Sequence, residues 1–159
     1  MNILFVANRI PYPPFRGDKL KIFNLAKRLS GKHRLYLITF VQDKKDYEYI
    51  PELEKYFDKI ELIYLPKYIS VLKCGMKLLS KRPYQILYFE SSEFKHKLNC
   101  FLSKNEVDII HTQHLRMSQY TSELKQYKRI LDLPDAYSLY WKRRTEMKSN
   151  FFINLFHNI

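Results

Sequence analysis

Polar residues with chemistry to offer collect at the ends of the apolar runs of this chain. Asn2-Ile3-Leu4-Phe5-Val6-Ala7 gives way to Asn8 and then to a proline-rich stretch that ends in Arg16-Gly17-Asp18. The run 107–112 contains His111 and leads into Gln113, His114 and Arg116, and the run 129–133 contains Asp132 and leads into Pro134-Asp135. Gln42 follows the run 33–41. Imidazole exchanges a proton near neutral pH. Guanidinium groups match phosphate and carboxylate oxygens in pairs. Together with carboxylates, these groups suit a site for an anionic or polyhydroxyl ligand. Each also has a purely structural reading. A strand-end histidine can be a hydrogen-bonded framework residue, Asp132 can cap the turn at Pro134, and Asp18 can be a first-turn carboxylate on the helix dipole. Gly17 can serve only a positive φ.

The elements that must position these groups alternate between two periods. After the first apolar run, Ile22, Leu25, Ala26 and Leu29 form a helical stripe, and Gly31 stands where a left-handed C-cap is expected. Residues 33–41 and 59–65 predict strands, with a helical segment through Ile50, Leu53, Tyr56 and Phe57 between them. A long helix is expected over 67–82, an extended run over 84–89, and a helix capped by Ser91 or Ser92 whose buried stripe is Phe94, Leu98, Phe101 and Leu102. Strands over 107–112 and 129–133 flank a weaker helix from 117 to 124, and a basic helical pattern runs from 136 to 159. Strands alternating with helices predict a parallel sheet covered on both faces, a Rossmann-like doubly wound α/β domain. In that arrangement every strand ends on one edge. Asn8, Arg16, Gly17, Asp18, His111, Gln113, His114, Arg116 and Asp135 then share one rim, with Arg16-Gly17-Asp18 at its mouth.

Composition narrows the chemistry. The chain has 159 residues, 13 of them Tyr and 11 Phe, and a formal charge of +12, which suits an anionic ligand, surface or polymer. There is no GxGxxG, no GxxxxGK[ST] and no GxSxG elbow. Cys74 and Cys100 have no CxxC spacing, and His111 and His114 lack a third ligand, so no metal site and no resident cofactor are expected. No RNP, KH or zinc-finger signature accompanies the charge, so nucleic acid is not expected as a partner. The absence of a signal peptide or a membrane-length apolar run points to a cytoplasmic chain. The segment 67–82 has two readings. Ile69, Val71, Leu72, Met76, Leu78 and Leu79 cover one side, with Lys73, Lys77 and Lys81 on the other. Either the helix packs on the sheet with a solvated basic edge, or it lies on an anionic membrane with those lysines at the head groups.

The opening from Asn2 through Arg16-Gly17-Asp18-Lys19 resembles that of GT-B fold glycosyltransferases of the family 4 type, in particular sugar transferases of exopolysaccharide clusters. Arg82-Pro83-Tyr84-Gln85, residues 108–117 and residues 131–138 agree with it in order. The resemblance implies a retaining, metal-independent transfer from a nucleotide-sugar donor to a glycan or lipid-linked acceptor. It makes residues 1–145 the acceptor-side half of a two-domain GT-B enzyme, and 146–159 the start of a helix leading to a donor domain. That donor domain would be a missing segment or a separate chain, and the half alone is expected to be inactive. It further implies Gly17 and its neighbours, Arg16 among them, towards the donor diphosphate, and a histidine after the fourth strand near the reacting carbon. There Gln113 stands between His111 and His114, and His114 is the candidate. Asp18, at the mouth of the rim, is the second catalytic candidate. Asn8, His111, Gln113, Arg116 and Asp135 would hold substrate. A non-catalytic basic module for an anionic glycan, lipid surface or nucleic acid is the other function that this composition allows.

Overall fold

A computed structural model describes residues 1–77 and 80–133, and in it a single parallel sheet runs in the order β3-β2-β1-β4-β5. Its strands are β1 (Asn2–Ala7), β2 (Arg34–Val41), β3 (Lys59–Tyr64), β4 (Ile109–Gln113) and β5 (Lys128–Asp132). Each central strand feeds two cores by strict alternation. Ile3, Phe5 and Ala7 of β1 and Leu35, Leu37 and Val41 of β2 face α1 (Gly17–Leu29) and α2 (Ile50–Leu53), which bury Ile22, Ala26 and Leu53 there. Leu4, Val6, Tyr36, Ile38 and Phe40 point the other way, towards Phe94, Leu98 and Phe101 of α5 (Ser92–Lys104) and Tyr120 of α6 (Ser118–Thr121). Strands buried on both faces explain why β1 and β2 read as unbroken apolar runs. The molecule is a Rossmann-like α/β domain, as the sequence predicts.

The strand order creates one special place. The chain moves outward from β1 to β2 and β3, then returns to the other side of β1 as β4 and continues to β5. The loops after β1 and β4 therefore diverge, leaving a crevice beyond the carboxyl ends of these neighbouring strands. Two fixtures brace its surroundings. The Ser91 hydroxyl accepts the Phe94 N–H at 3.2 Å and so caps α5. The buried Tyr120 hydroxyl accepts the Ser91 N–H at 2.8 Å and donates to the Phe89 carbonyl, and burial pushes its pKa up.

Several expectations are corrected. Residues 84–89 are not extended: Tyr84–Tyr88 is a short helix, α4, started by Pro83, with Leu87 turned inward. The helix expected over 67–82 is α3 (Lys67–Met76), because Lys77 leaves helical geometry at φ −105°. Leu78 and Leu79 lie outside the described residues, as do Asp135, the 136–159 helix and the boundary at 145. Neither Gly31 nor Gly17 has a positive φ; α1 ends through Ser30 in right-handed geometry. Between β2 and β3 the chain makes a 3-10 turn (Lys44–Tyr49) and then only one turn of α-helix, with Pro51 in its first positions. Among the described residues no helix is long and apolar enough to cross a membrane.

Candidate functional site

The crevice between β1 and β4 is built around Asp18. This residue stands in the first turn of α1, where its carboxylate accepts the Lys19 N–H at 3.0 Å. The Gln113 side chain, from the end of β4, donates to the Asp18 carbonyl at 2.6 Å and ties the start of α1 to the sheet. His114 follows, with φ 69°, a left-handed conformation uncommon outside glycine. Its backbone N–H donates to the Asp132 carbonyl at 2.9 Å, which holds the unusual turn in place. That turn aims the buried imidazole at Asp18, with Nε2 3.5 Å from the carboxylate. Arg9 Nε lies 3.5 Å from the same carboxylate and Arg16 Nε 3.4 Å.

The electrostatics follow from this geometry. The His114 contact, with help from Arg9, the Lys19 N–H and Arg16, holds the Asp18 carboxyl well below the usual carboxylate range despite its burial. A carboxylate held so firmly ionised is a poor proton acceptor. Asp18 thus faces His114 and Arg9 together as an ionised carboxylate. Arg9 is pulled down, chiefly by burial and further by the like charges of Arg16 and Arg116. Lys19 is lowered in the same way, by burial first and then by Arg9 and Arg16, against Asp46 and Asp18. Cations therefore crowd this end of the sheet faster than carboxylates neutralise them, which is the condition for attracting an anion.

Buried polar atoms here also lack hydrogen bonds. Both side-chain atoms of Asn8, Nε of Arg9 and both ring nitrogens of His114 are buried with no hydrogen-bond partner among the described residues. Val6 pairs with Thr112, so the register of β1 and β4 continues to Asn8 beside His114. Arg9 Nε and His114 Nε2 still face the Asp18 carboxylate at 3.5 Å, whereas the Asn8 amide and His114 Nδ1 face no partner among the described residues, which costs about 1–3 kcal/mol for each such group. Beside them opens a cleft of about 430 Å³, lined by Arg9, Gln42, Tyr88, Phe89 and Arg116 among others. Gln42 donates to the Tyr88 hydroxyl at 3.3 Å, and the Arg116 guanidinium lies over the Phe89 ring, 5.4 Å from its centre.

The structure thus gathers Asn8, Arg16, Asp18, Gln113 and His114 of the residues read from the sequence, with Arg116 on the adjoining cleft. Gly17 is exposed at the N-terminus of α1, and a side chain added there would meet nothing within 4 Å. His111 stands apart. It pairs with Phe5 in register, packs on that ring at 5.0 Å, and turns to the α1 side of the sheet. There its Nε2 is 3.8 Å from Asp132, which also takes an ion pair from Lys21. Burial lowers its pKa, against the pull of Asp132. Asp135 lies outside the described residues. Lys73 and Lys77 do not form a free basic strip: Lys73 donates to the Glu90 carbonyl at 3.1 Å and Lys77 pairs with the Glu90 carboxylate. Lys81 is exposed, beyond the end of α3. Sequence reasoning missed Arg9, Tyr88 and Phe89. Arg9 adjoins Asn8 in the same loop and could have been found from that position, whereas nothing local marks the other two.

No family model matches this chain, and no curated protein does. Among solved structures, it is similar to the crystal structure of a predicted subunit of tRNA methyltransferase from Methanocaldococcus jannaschii DSM. The two are 15% identical with a TM-score of 0.41, over 84% of this chain and 68% of that one. Activity has to be read from the site itself. Fold and site define a Rossmann-like domain with a cation-rich crevice at the switch point of its sheet.

Proposed function

We propose that this chain is the acceptor-side half of a GT-B glycosyltransferase that moves a sugar from a nucleotide-sugar donor to a glycan or lipid-linked acceptor. The observation that carries the proposal is the buried Asn8 amide and His114 Nδ1, which have no partner among the described residues at the switch point, where hydroxyl groups of a sugar would satisfy them. The sequence resemblance at the same loops agrees with it. In this reading Asn8 and His114 hold sugar or acceptor hydroxyls, with the Asp18 carboxylate facing Nε2 of His114. Arg9, Arg16 and Arg116 draw in the anionic part of the substrate, and the exposed backbone at Gly17 faces the diphosphate. The bond between sugar and diphosphate breaks as the acceptor oxygen bonds the sugar carbon, and the hydroxyl proton leaves with the diphosphate. A second domain, as a further segment or a separate chain, would grip the nucleotide, and the enzyme would work in the cytoplasm.

The test is a nitrogen-15 NMR titration of the chain with uridine and guanosine diphosphates, their sugar conjugates, and an anionic oligosaccharide. The expected result is shifts centred on Asn8, Gly17 and His114 with a nucleoside diphosphate, weakened by Arg116→Ala. No response to any of these at millimolar concentration would overturn the proposal. A response to the anionic oligosaccharide alone would favour a non-catalytic binding module, which the surplus of arginines also fits.

A further inference from the structure

Helix α3 wears its apolar side outward. Tyr68, Val71, Leu72 and Met76 are 71, 62, 61 and 73% exposed, and their spacing of three and four residues puts them on one stripe. Only Ile69 and Ser70 turn towards the core. The stretch 67–82 carries Lys67, Lys73, Lys77, Lys81 and Arg82 and no acidic residue. On the flank next to the stripe is a cleft of about 480 Å³ in which Lys73, Lys77, Arg82 and Lys95 meet one carboxylate, Glu90. Lys77 and Arg82 already pair with Glu90, so the cleft keeps a surplus of positive charge.

We propose that α3 docks the protein on an anionic lipid leaflet, with the stripe in the head-group and acyl boundary and the cleft taking a lipid phosphate. An amphipathic helix with a wide apolar arc and a basic flank is built for that boundary. A second copy of the chain fits the face poorly, because it would bring two such basic clefts together in a protein of charge +12. The inference does not depend on glycosyl transfer, since none of these residues lines the crevice at Asp18.

The experiment is co-sedimentation of the chain with vesicles of phosphatidylcholine alone and of phosphatidylcholine mixed with phosphatidylglycerol. Binding is expected only with phosphatidylglycerol. Lys67→Glu with Lys81→Glu should weaken it roughly tenfold or more, since neither lysine has an ion pair among the described residues to lose. Val71→Ser with Leu72→Ser should weaken it by a similar factor. All four side chains are exposed, so both variants should fold like the parent. Leu72→Trp should give a blue-shifted emission on the mixed vesicles, and inorganic phosphate should not displace the protein. Equal binding to neutral vesicles, no binding at all, or unchanged affinity in either double variant would overturn the proposal. So would displacement by inorganic phosphate, or a concentration-dependent dimer abolished by Val71→Ser with Leu72→Ser.

Discussion

Replacing Asp18 by Asn removes one charge from the crevice and keeps the shape. The Asn oxygen can still accept the Lys19 N–H, but its amide nitrogen is then turned towards the Arg9 Nε and His114 Nε2 atoms that the carboxylate faced at 3.5 Å. A charge-assisted hydrogen bond is worth about 1.5–3 kcal/mol, and these two are ion contacts too long to be hydrogen bonds, so each is worth about 1–1.5 kcal/mol. Arg16 is exposed and contributes little. The loss should be about 2–3 kcal/mol, or roughly 6–9 °C in melting temperature for a chain of this size. The pH dependence has a definite sign. A carboxylate whose folded pKa is depressed stabilises fully above its ordinary value of 3.8 and loses that contribution as pH falls through the folded value. Urea unfolding of parent and variant should therefore show a constant gap between neutral and mildly acid pH, closing progressively below the ordinary carboxylate pKa. A variant as stable as the parent at neutral pH, or a gap that persists unchanged in strong acid, would refute the assignment of Asp18 as the ionised centre of the site.

Three further outcomes are expected. Tyr120→Phe should cost about 1–3 kcal/mol in urea unfolding, because the Ser91 N–H and the buried Phe89 carbonyl both lose their partner. His111 has a folded pKa below its ordinary 6.5, so the unfolded chain takes up its proton first as pH falls. Stability should decline below that value by up to about 1.4 kcal/mol per pH unit, and His111→Gln should flatten that part of the profile. Gly17→Ala should leave the melting temperature almost unchanged, since the new methyl group meets nothing within 4 Å. In the NMR titration the same variant should weaken nucleoside diphosphate binding, which separates a role in ligand approach from a role in folding.

The strands were legible in the sequence almost to the residue, and for a physical reason. A parallel strand buried on both faces needs an unbroken apolar run, and Asn2–Ala7 and Arg34–Val41 supply one each. The cap was legible as Ser91 or Ser92, because a hydroxyl ahead of a helical stripe has one obvious use, and the structure settles it on Ser91. The short element at Tyr84–Tyr88 was not, since a few apolar residues look alike as strand or helix, and the chain beyond Pro83 settles it.

The sequence by itself determined the α/β class, the edge of the sheet on which polar groups collect, and most of the residues at that edge. Those properties depend on local periodicity and on the rule that parallel strands end together. Tertiary structure decided which groups touch. It brought Gln113 and His114 onto Asp18, paired His111 with Asp132 and Lys21 further along the same α1 side of the sheet, and drew Lys73 and Lys77 to Glu90. It also turned the apolar side of α3 away from the core, where periodicity shows a stripe but not its direction. Contacts between residues far apart in the chain depend on crossover geometry and on the competition of whole faces for the core, and neither is encoded in any short window of residues.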